Sequence, residues 1–327
     1  MADKITIKDV AKEAGVSISI VSYVLNNTEG IKITDETRTR VLKAAEELNY
    51  TANRIAQGLR TRSSKCIGIV NCLHDYRDTA SMISNGVSSV ANDNGYRIMT
   101  GLWSNKSEFN YLSAWEDKSV DGLIFMIPTE DFGTVDEEAH INAMRETGVP
   151  FVIVNGKTDE PDVSYINYDV YGSAKKATEY LIDLGYREIT FLAGAIKDHE
   201  EKERYRGYVD AAQAAGIDID VCLLKDLNKK LDTLKAVVAN KSEIAFELVT
   251  AAEKNGMKIP EDFAVIVSNT EKFVEYLSLT SVNLMMYEIG KKAANTLINK
   301  VKGINSCGRV IGECKLEVRG STEILKF

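Results

Sequence analysis

Nothing in this chain is spaced to hold a metal or to staple loops with disulfides. The five cysteines, Cys66, Cys72, Cys222, Cys307 and Cys314, are odd in number and include no Cys-x-x-Cys pair. The three histidines, His74, His140 and His199, lie far apart. Free thiols in a reducing compartment are expected, with no cofactor. No run approaches the roughly 18 apolar residues that span a bilayer, and the opening MADKITIKDV lacks the apolar stretch of a signal peptide. The expectation is a cytoplasmic protein without a membrane partner. Also missing are G-x-S-x-G, G-x-x-x-x-G-K-[ST], H-E-x-x-H and a G-x-G-x-x-G after a strand, which leaves an enzyme unsupported. Glu200, Glu201 and Glu203 cluster, but they read more simply as the solvated start of a helix. No internal repeat or low-complexity tract stands out.

What is present is an ordinary globular composition, 44% hydrophobic and 27% charged over 327 residues. That suffices for a small module plus one large or two medium domains. Charge is divided unevenly. Residues 1–65 hold 11 Lys and Arg against 8 Asp and Glu, a net of +3, so the rest carries −11 of the overall −8. A basic end on an acidic body suits a chain that meets a polyanion at that end.

Residues 1–50 predict three short helices. Thr6, with Asp9 three residues on, opens the first over Ile7–Ala14. Gly15-Val16 makes a tight turn. Ser17 caps a second helix to about Leu25, with Val21, Val24 and Leu25 on one face. After the polar stretch Asn26–Gly30, Thr34 opens a third helix to about Asn49, with Val41, Leu42, Ala45 and Leu48 expected inside. This is the layout of a helix-turn-helix. Residues 51–64 form a linker with helix formers from Asn53 to Leu59, too short for a stable helix in water without a surface to fold on.

From Lys65 onward apolar strands alternate with amphipathic helices. Strands are expected at Cys66–Cys72, Arg97–Thr100, Gly122–Ile127, Phe151–Asn155, Glu188–Ala193, Ala236–Ala239 and Phe263–Ser268. Helices are expected at Ser81–Asn94, Ser173–Leu184, Arg204–Ala215 and Ser242–Asn255. The pattern implies an α/β core with parallel sheets covered on both faces, divided into two doubly wound subdomains because one sheet would be large. A ligand would lie outside the carboxyl ends of the strands, in the cleft between them.

Ser17, Ile18 and Ser19 stand at the N-terminus of the second helix, the end that a recognition helix turns toward base edges in the major groove. Ile18 lies off the apolar stripe and could meet a thymine methyl group; the competing reading is contact with the neighbouring helix. Ser17, Ser22, Tyr23 and Asn26 carry hydroxyl or amide groups suited to phosphate oxygens.

TIKDVAKEAGVSISIVSYVLNN resembles the opening signature of the LacI/GalR family of transcription regulators, and DETRTRVLKAAEELNYTANRIAQGLRTRSSKCIGIV resembles its third helix, hinge and first core strand. VDGLIF at 120–125, VPFVIVN at 149–155, LIDLGYREITFLAG at 181–194, RYRGY at 204–208, NGMKIPEDFAVI at 255–266 and LEVRGST at 316–322 extend the likeness along nearly the whole chain. The resemblance implies a helix-turn-helix domain at 1–50, a hinge at 51–64 and a core like periplasmic binding proteins at 65–327. Its N-subdomain would take 65–156 and 284–311, and its C-subdomain 157–283 and 312–327. A homodimer on double-stranded operator DNA is implied, more often repressing than activating, with carbohydrate-related targets.

By the same resemblance, Ile18 and Ser19 read bases, with Thr6, Ser17, Ser22, Tyr23 and Asn26 around them. Tyr50, Asn53, Gln57 and Arg60 belong to the hinge contacts, and Leu59 wedges into the minor groove at the operator centre. Ile20 stands where the family usually has threonine, and Ala52 where it usually has proline.

A small effector or a protein co-regulator is implied for the core. Arg204 matches the arginine that reaches the ligand, with an ion pair to Glu201 or Glu203 as its competing role. Asp169 matches an acidic helix start, for which capping is the plain role. Asp75, Tyr76, Asn240 and Asn269 occupy the other effector positions. Departures gather here: Lys241 follows Asn240 where an acidic residue is usual, Asn269 replaces another, and the connection from Ile217 to Ala236 is short. An ordinary sugar pocket is therefore not expected. An unusual effector, a protein co-regulator or no effector remain as readings. A periplasmic sugar-binding protein would share the core but not the helix-turn-helix.

Overall fold

The computed structural model describes residues 5–25, 30–50, 63–71, 78–103, 108–127, 136–156, 160–197, 199–304 and 308–322. The chain divides into two compact units, Met1–Ser64 and Lys65–Phe327.

The first unit holds α1 (Ile7–Ala14), α2 (Ile18–Leu25) and α3 (Asp35–Glu47). Gly15 ends α1 in the left-handed region at φ 67, a conformation that costs glycine little. The Thr34 hydroxyl accepts the Thr37 N–H at 3.3 Å and starts α3. Val10, Ala11, Ala14, Val21, Val24, Val41 and Ala44 form the core, with Ala45 and Leu48 packed against it. Leu42 does not join them and is 50% exposed. With Val41 facing inward, the helical period selects Ala44, Ala45 and Leu48, and Leu42 turns about 100° away.

The second unit contains two six-stranded sheets. In chain order it runs β1 (Cys66–Asn71), α4 (Asp78–Asp93), β2 (Arg97–Trp103), β3 (Gly122–Met126), α5 (Glu137–Thr147), β4 (Phe151–Val154) and β5 (Tyr165–Asn167). It continues with α6 (Val170–Asp183), β6 (Ile189–Ala193), α7 (His199–Ala214), β7 (Asp220–Leu223), β8 (Ala236–Ala239), α8 (Ser242–Lys254) and β9 (Ala264–Val267). The last elements are β10 (Thr280–Asn283), α9 (Met286–Val301), β11 (Arg309–Ile311) and β12 (Lys315–Glu317).

One sheet has the order β11-β5-β4-β3-β1-β2 and is parallel throughout. The other has the order β12-β10-β9-β8-β6-β7, with β12 alone antiparallel to its neighbour. Strands β3, β4, β6, β8 and β9 are buried along their whole length, as a parallel sheet covered on both faces requires. The chain moves between sheets after β5, after β10 and after β11.

The expected α/β alternation is present, with differences at its ends. Strands β5, β7, β10, β11 and β12 add to those expected; each has only three or four residues and includes polar ones, unlike the wholly apolar β4, β8 and β9. Helix α6 starts at Val170 because the Asp169 carboxylate accepts the Gly172 N–H at 2.6 Å. Helix α7 starts at His199, five positions before Arg204, where the sequence placed it. The short crossover before β8 consists of two 3-10 turns around the four-residue helix Leu227–Lys230.

Both subdomains carry a helix pair in very close contact. A Cβ on Gly86 of α4 would sit 2.0 Å from the Tyr287 carbonyl oxygen of α9, and one on Gly290 2.0 Å from the Ile83 oxygen. Gly207 of α7 faces the Tyr171 oxygen of α6 in the same way, at 2.2 Å. Gly290→Ala is expected to force α4 and α9 apart and cost about 1–3 kcal/mol, read as a lower urea midpoint. An unchanged midpoint would mean the helices are not in backbone contact.

His140 of α5 is buried against the Phe109 and Phe125 rings, and its Nδ1 lies 3.0 Å from the Tyr111 hydroxyl. Burial holds the imidazole below its ordinary 6.5, against a weaker pull upward from Asp136. The folded chain thus favours the neutral ring, so this contribution is complete above the ordinary value and is lost as pH falls below it. The thermal midpoint is expected to drop between about pH 7.5 and 5.5, and less steeply in His140→Phe. Equal slopes in the two proteins would assign the pH response elsewhere.

Candidate DNA-reading surface and core cleft

The turn between α1 and α2 is built by local hydrogen bonds. Thr6 donates its hydroxyl and its backbone N–H to Asp9 Oδ2 at 2.7 and 2.8 Å, which holds the Asp9 carboxyl below the ordinary carboxylate value. The Val16 N–H returns to the Ala11 carbonyl at 3.0 Å. Ser17 caps α2, its Oγ accepting the Ile20 N–H at 3.3 Å. The hydroxyls of Thr6 and Ser17 are thus already engaged in starting helices.

Val21 and Val24 point inward from α2. Ile18 stands in the first turn of α2 and is 44% exposed, and Ser19 beside it is exposed. Ile18 is not among the residues of the unit's apolar cluster. Ser22, expected at the surface, is instead buried at 6% exposure because it shares the inward arc with Val21. Tyr23 is half-buried, and Tyr50 packs on the edge of the core. Asn26, Asn53, Gln57, Leu59 and Arg60 lie outside the described residues.

In the core, β6 has β7 on one side and β8 on the other. Successive connections from the ends of β6 and β8 therefore leave in opposite directions, the arrangement at whose carboxyl edge sheets of this kind bind ligands. Glu200 and Arg204 stand on the first turns of α7, directly after β6. Arg204 donates through Nη1 to Glu200 Oε2 at 3.0 Å, and both residues are nearly fully buried. Tyr168, in the connection leaving the first sheet, donates its hydroxyl to Glu200 Oε1 at 2.5 Å. The expectation of a solvated carboxylate cluster fails at Glu200, since an i, i+4 partner and Tyr168 let it stay buried. The partner of Arg204 is Glu200 rather than Glu201 or Glu203. Glu201 lies 3.6 Å from the ammonium of Lys241, and Glu203 accepts from Arg206 at 2.5 Å.

Asn240 follows β8 and has no exposed surface. Its backbone carbonyl accepts from the Ser268 hydroxyl at 2.5 Å, but neither Oδ1 nor Nδ2 of its side chain has a partner among the described residues. The Arg204 Nε is likewise unpaired there. Asn269, after β9, accepts from the Ser242 hydroxyl at 2.8 Å. Asp169 serves as the α6 cap. Asp75 and Tyr76 lie outside the described residues.

Tyr168 and Lys241 joined this cluster unforeseen as contributors. The Glu200/Arg204 spacing was a usable signal for the buried pair, whereas Tyr168 lies 32 positions from Glu200 and left none. Among the described residues, no three His, Cys, Asp or Glu side chains are placed to hold a metal ion, and no helix is long and apolar enough to cross a membrane.

Residues 6–53 match the model for bacterial regulatory proteins of the lacI family, and residues 178–322 match the periplasmic binding protein-like domain. The chain is 31% identical to the HTH-type transcriptional regulator RegA of Clostridium saccharobutylicum, across 90% of this chain and 91% of RegA. It is 28% identical to catabolite control protein A of Staphylococcus xylosus, across 98% and 99%. A solved structure of the lac repressor dimer bound to operator and the anti-inducer ONPF shares the fold with a TM-score of 0.76, at 22% identity over 98% of this chain and 99% of that one.

Proposed function

The chain belongs to the lacI family of bacterial regulatory proteins, and from that premise we propose that it represses transcription as a cytoplasmic homodimer on a palindromic operator. The observation that carries this reading is the exposed Ile18–Ser19 pair at the N-terminus of α2, a helix held in the core by Val21 and Val24. Ile18 supplies an apolar contact to a thymine methyl, and Ser19 a hydrogen bond to an adjacent base edge. Tyr23 and the N–H groups at the start of α2 take phosphates, as do Asn26, Tyr50, Asn53, Gln57 and Arg60. Ser22, being buried, drops out of the contact set, and Thr6 and Ser17 act chiefly through their caps. One helix-turn-helix reads a half-site, so two copies are needed to read the palindrome, and Leu59 wedges the minor groove between them.

The core takes a small effector in the crevice beside Arg204 and Asn240, and family membership supports carbohydrate-related target genes. The second reading, a core answering to a protein co-regulator, is favoured by the altered crevice, where Lys241 and Asn269 stand at positions usually acidic.

Purified protein should select genomic fragments that share a palindrome. Fluorescence anisotropy should give an affinity about 10³-fold or more above random DNA that falls steeply with salt. Uniform binding to all sequences would defeat the operator reading. Ile18→Ala should lose about tenfold or more on the operator with little change on random DNA, a contact worth about 1–3 kcal/mol. Leu59→Ala should likewise weaken specific binding more than non-specific binding; equal losses would remove the wedge. Sedimentation at micromolar concentration should show a dimer, and a monomer throughout would count against the paired half-sites.

A further inference from the structure

The segment SSKCIGIV and the stretch VDGLIF meet at one point of the core. Strand β1 lies between β3 and β2, and Lys65, the residue just before β1, is the first of the second unit. It is held from both neighbouring strands. On the β3 side its N–H donates to Asp121 Oδ2 at 3.1 Å, and on the β2 side its carbonyl accepts the Arg97 N–H at 2.8 Å. Its ammonium lies 4.6 Å from the centre of the Tyr96 ring. Asp121 is 8% exposed and stands immediately before β3, and its own N–H donates to the Cys66 carbonyl at 2.8 Å. One residue thus continues the β1–β3 ladder with its backbone and reaches one position further with its side chain.

Lys65 has a left-handed backbone, with φ 50. Residues with a Cβ rarely adopt that conformation, and it persists where surrounding contacts over-determine it. A strand can begin from an ordinary extended residue. Here the chain instead turns at the exposed Lys65 and enters β1, where Cys66–Val70 are all buried. The covalent link between the two units runs through this residue, since the first unit ends at Ser64. The Lys65 N–H belongs to the peptide that arrives from Ser64, so the Asp121 carboxylate holds the incoming side of the turn. A backbone N–H bound to a carboxylate is a charge-assisted hydrogen bond, stronger than one between neutral groups.

Resting on the operator reading above, we propose that Asp121 is a positioning residue for operator binding: by holding the Ser64–Lys65 peptide it fixes the direction in which the hinge leaves the core. Two reading heads must reach half-sites at a set spacing. A loosely attached hinge has more orientations to lose on the operator, and that loss lowers the affinity. Binding to random DNA rests on phosphate contacts in no set register and depends less on the attachment. Asp121 touches no DNA in this scheme and acts through Lys65.

The test measures the ratio of operator to random-DNA affinity in the full chain by anisotropy, with the urea midpoint and sedimentation read on the same samples. A second operator, lengthened by a single base pair at its centre, reports on spacing. Asp121→Ala should lower the ratio about tenfold, the worth of a hydrogen bond to a charged group. It should also bind the lengthened operator nearly as well as the original, whereas the unaltered chain should reject it. Asp121→Asn, which keeps an acceptor oxygen, should restore most of both properties. Lys65→Pro removes the N–H and forbids the left-handed φ, so it breaks the same contact from the exposed side should Asp121→Ala fail to fold. Combined with Asp121→Ala it should add no further loss. An unchanged ratio and spacing preference in either variant would overturn the proposal. Equal losses on operator and random DNA would also overturn it, because a weakened core or dimer produces those. An unaltered chain that does not discriminate would remove the operator reading and this proposal with it, whereas discrimination kept by the variants removes this proposal alone.

Discussion

Backbone-to-backbone contact between helices governs the large unit. Both parallel sheets need helices on each face, and in each subdomain two of those helices approach until a carbonyl oxygen fills the space of a missing Cβ. Gly86 and Gly290 make this possible for α4 and α9, and Gly207 for α6 and α7. The second contact bears directly on the crevice, since α6 begins just after Tyr168 and α7 carries Glu200 and Arg204. The separation of those helices therefore fixes how far the Tyr168 hydroxyl stands from the carboxylate it serves.

The DNA-reading unit obtains order from a different source. Its core is small and made largely of valine and alanine, so short-range caps carry much of the specification. Asp9 gathers two hydrogen bonds from Thr6, Gly15 turns the chain, and Ser17 restarts it. The result is a helix held by its inward valines with its leading end free, which is the property a groove-reading helix needs.

Much of this was legible in the sequence wherever the determinant was local. The caps at Thr6, Ser17 and Thr34, the turn at Gly15 and the alternation of strand and helix follow from spacing over a few residues. Leu42 was misplaced because α3 has apolar residues on adjoining arcs, and only the choice of Val41 as the inward residue resolves them. Strands β5, β10, β11 and β12 escaped because they are short and mix polar with apolar residues, and β11 and β12 owe their pairing to neighbours far along the chain. The buried Glu200 was the largest miss. Its immediate sequence is charged and polar, and what permits its burial is Tyr168, delivered by a different sheet.

The order of the last two strands has a consequence for how the protein is made. β11 completes the edge of one sheet and β12 the edge of the other, although only three residues, Gly312–Cys314, lie between them. Neither sheet has its full set of strands until β11 and β12 have been synthesised, whereas the helix-turn-helix precedes every core strand in the chain and has its own core within residues 7–50. A chain cut short before residue 309 would carry an intact reading head on a body missing a border strand from both sheets. The reading head would then be attached to a core with two open edges, a template for aggregation rather than for pairing with a second subunit.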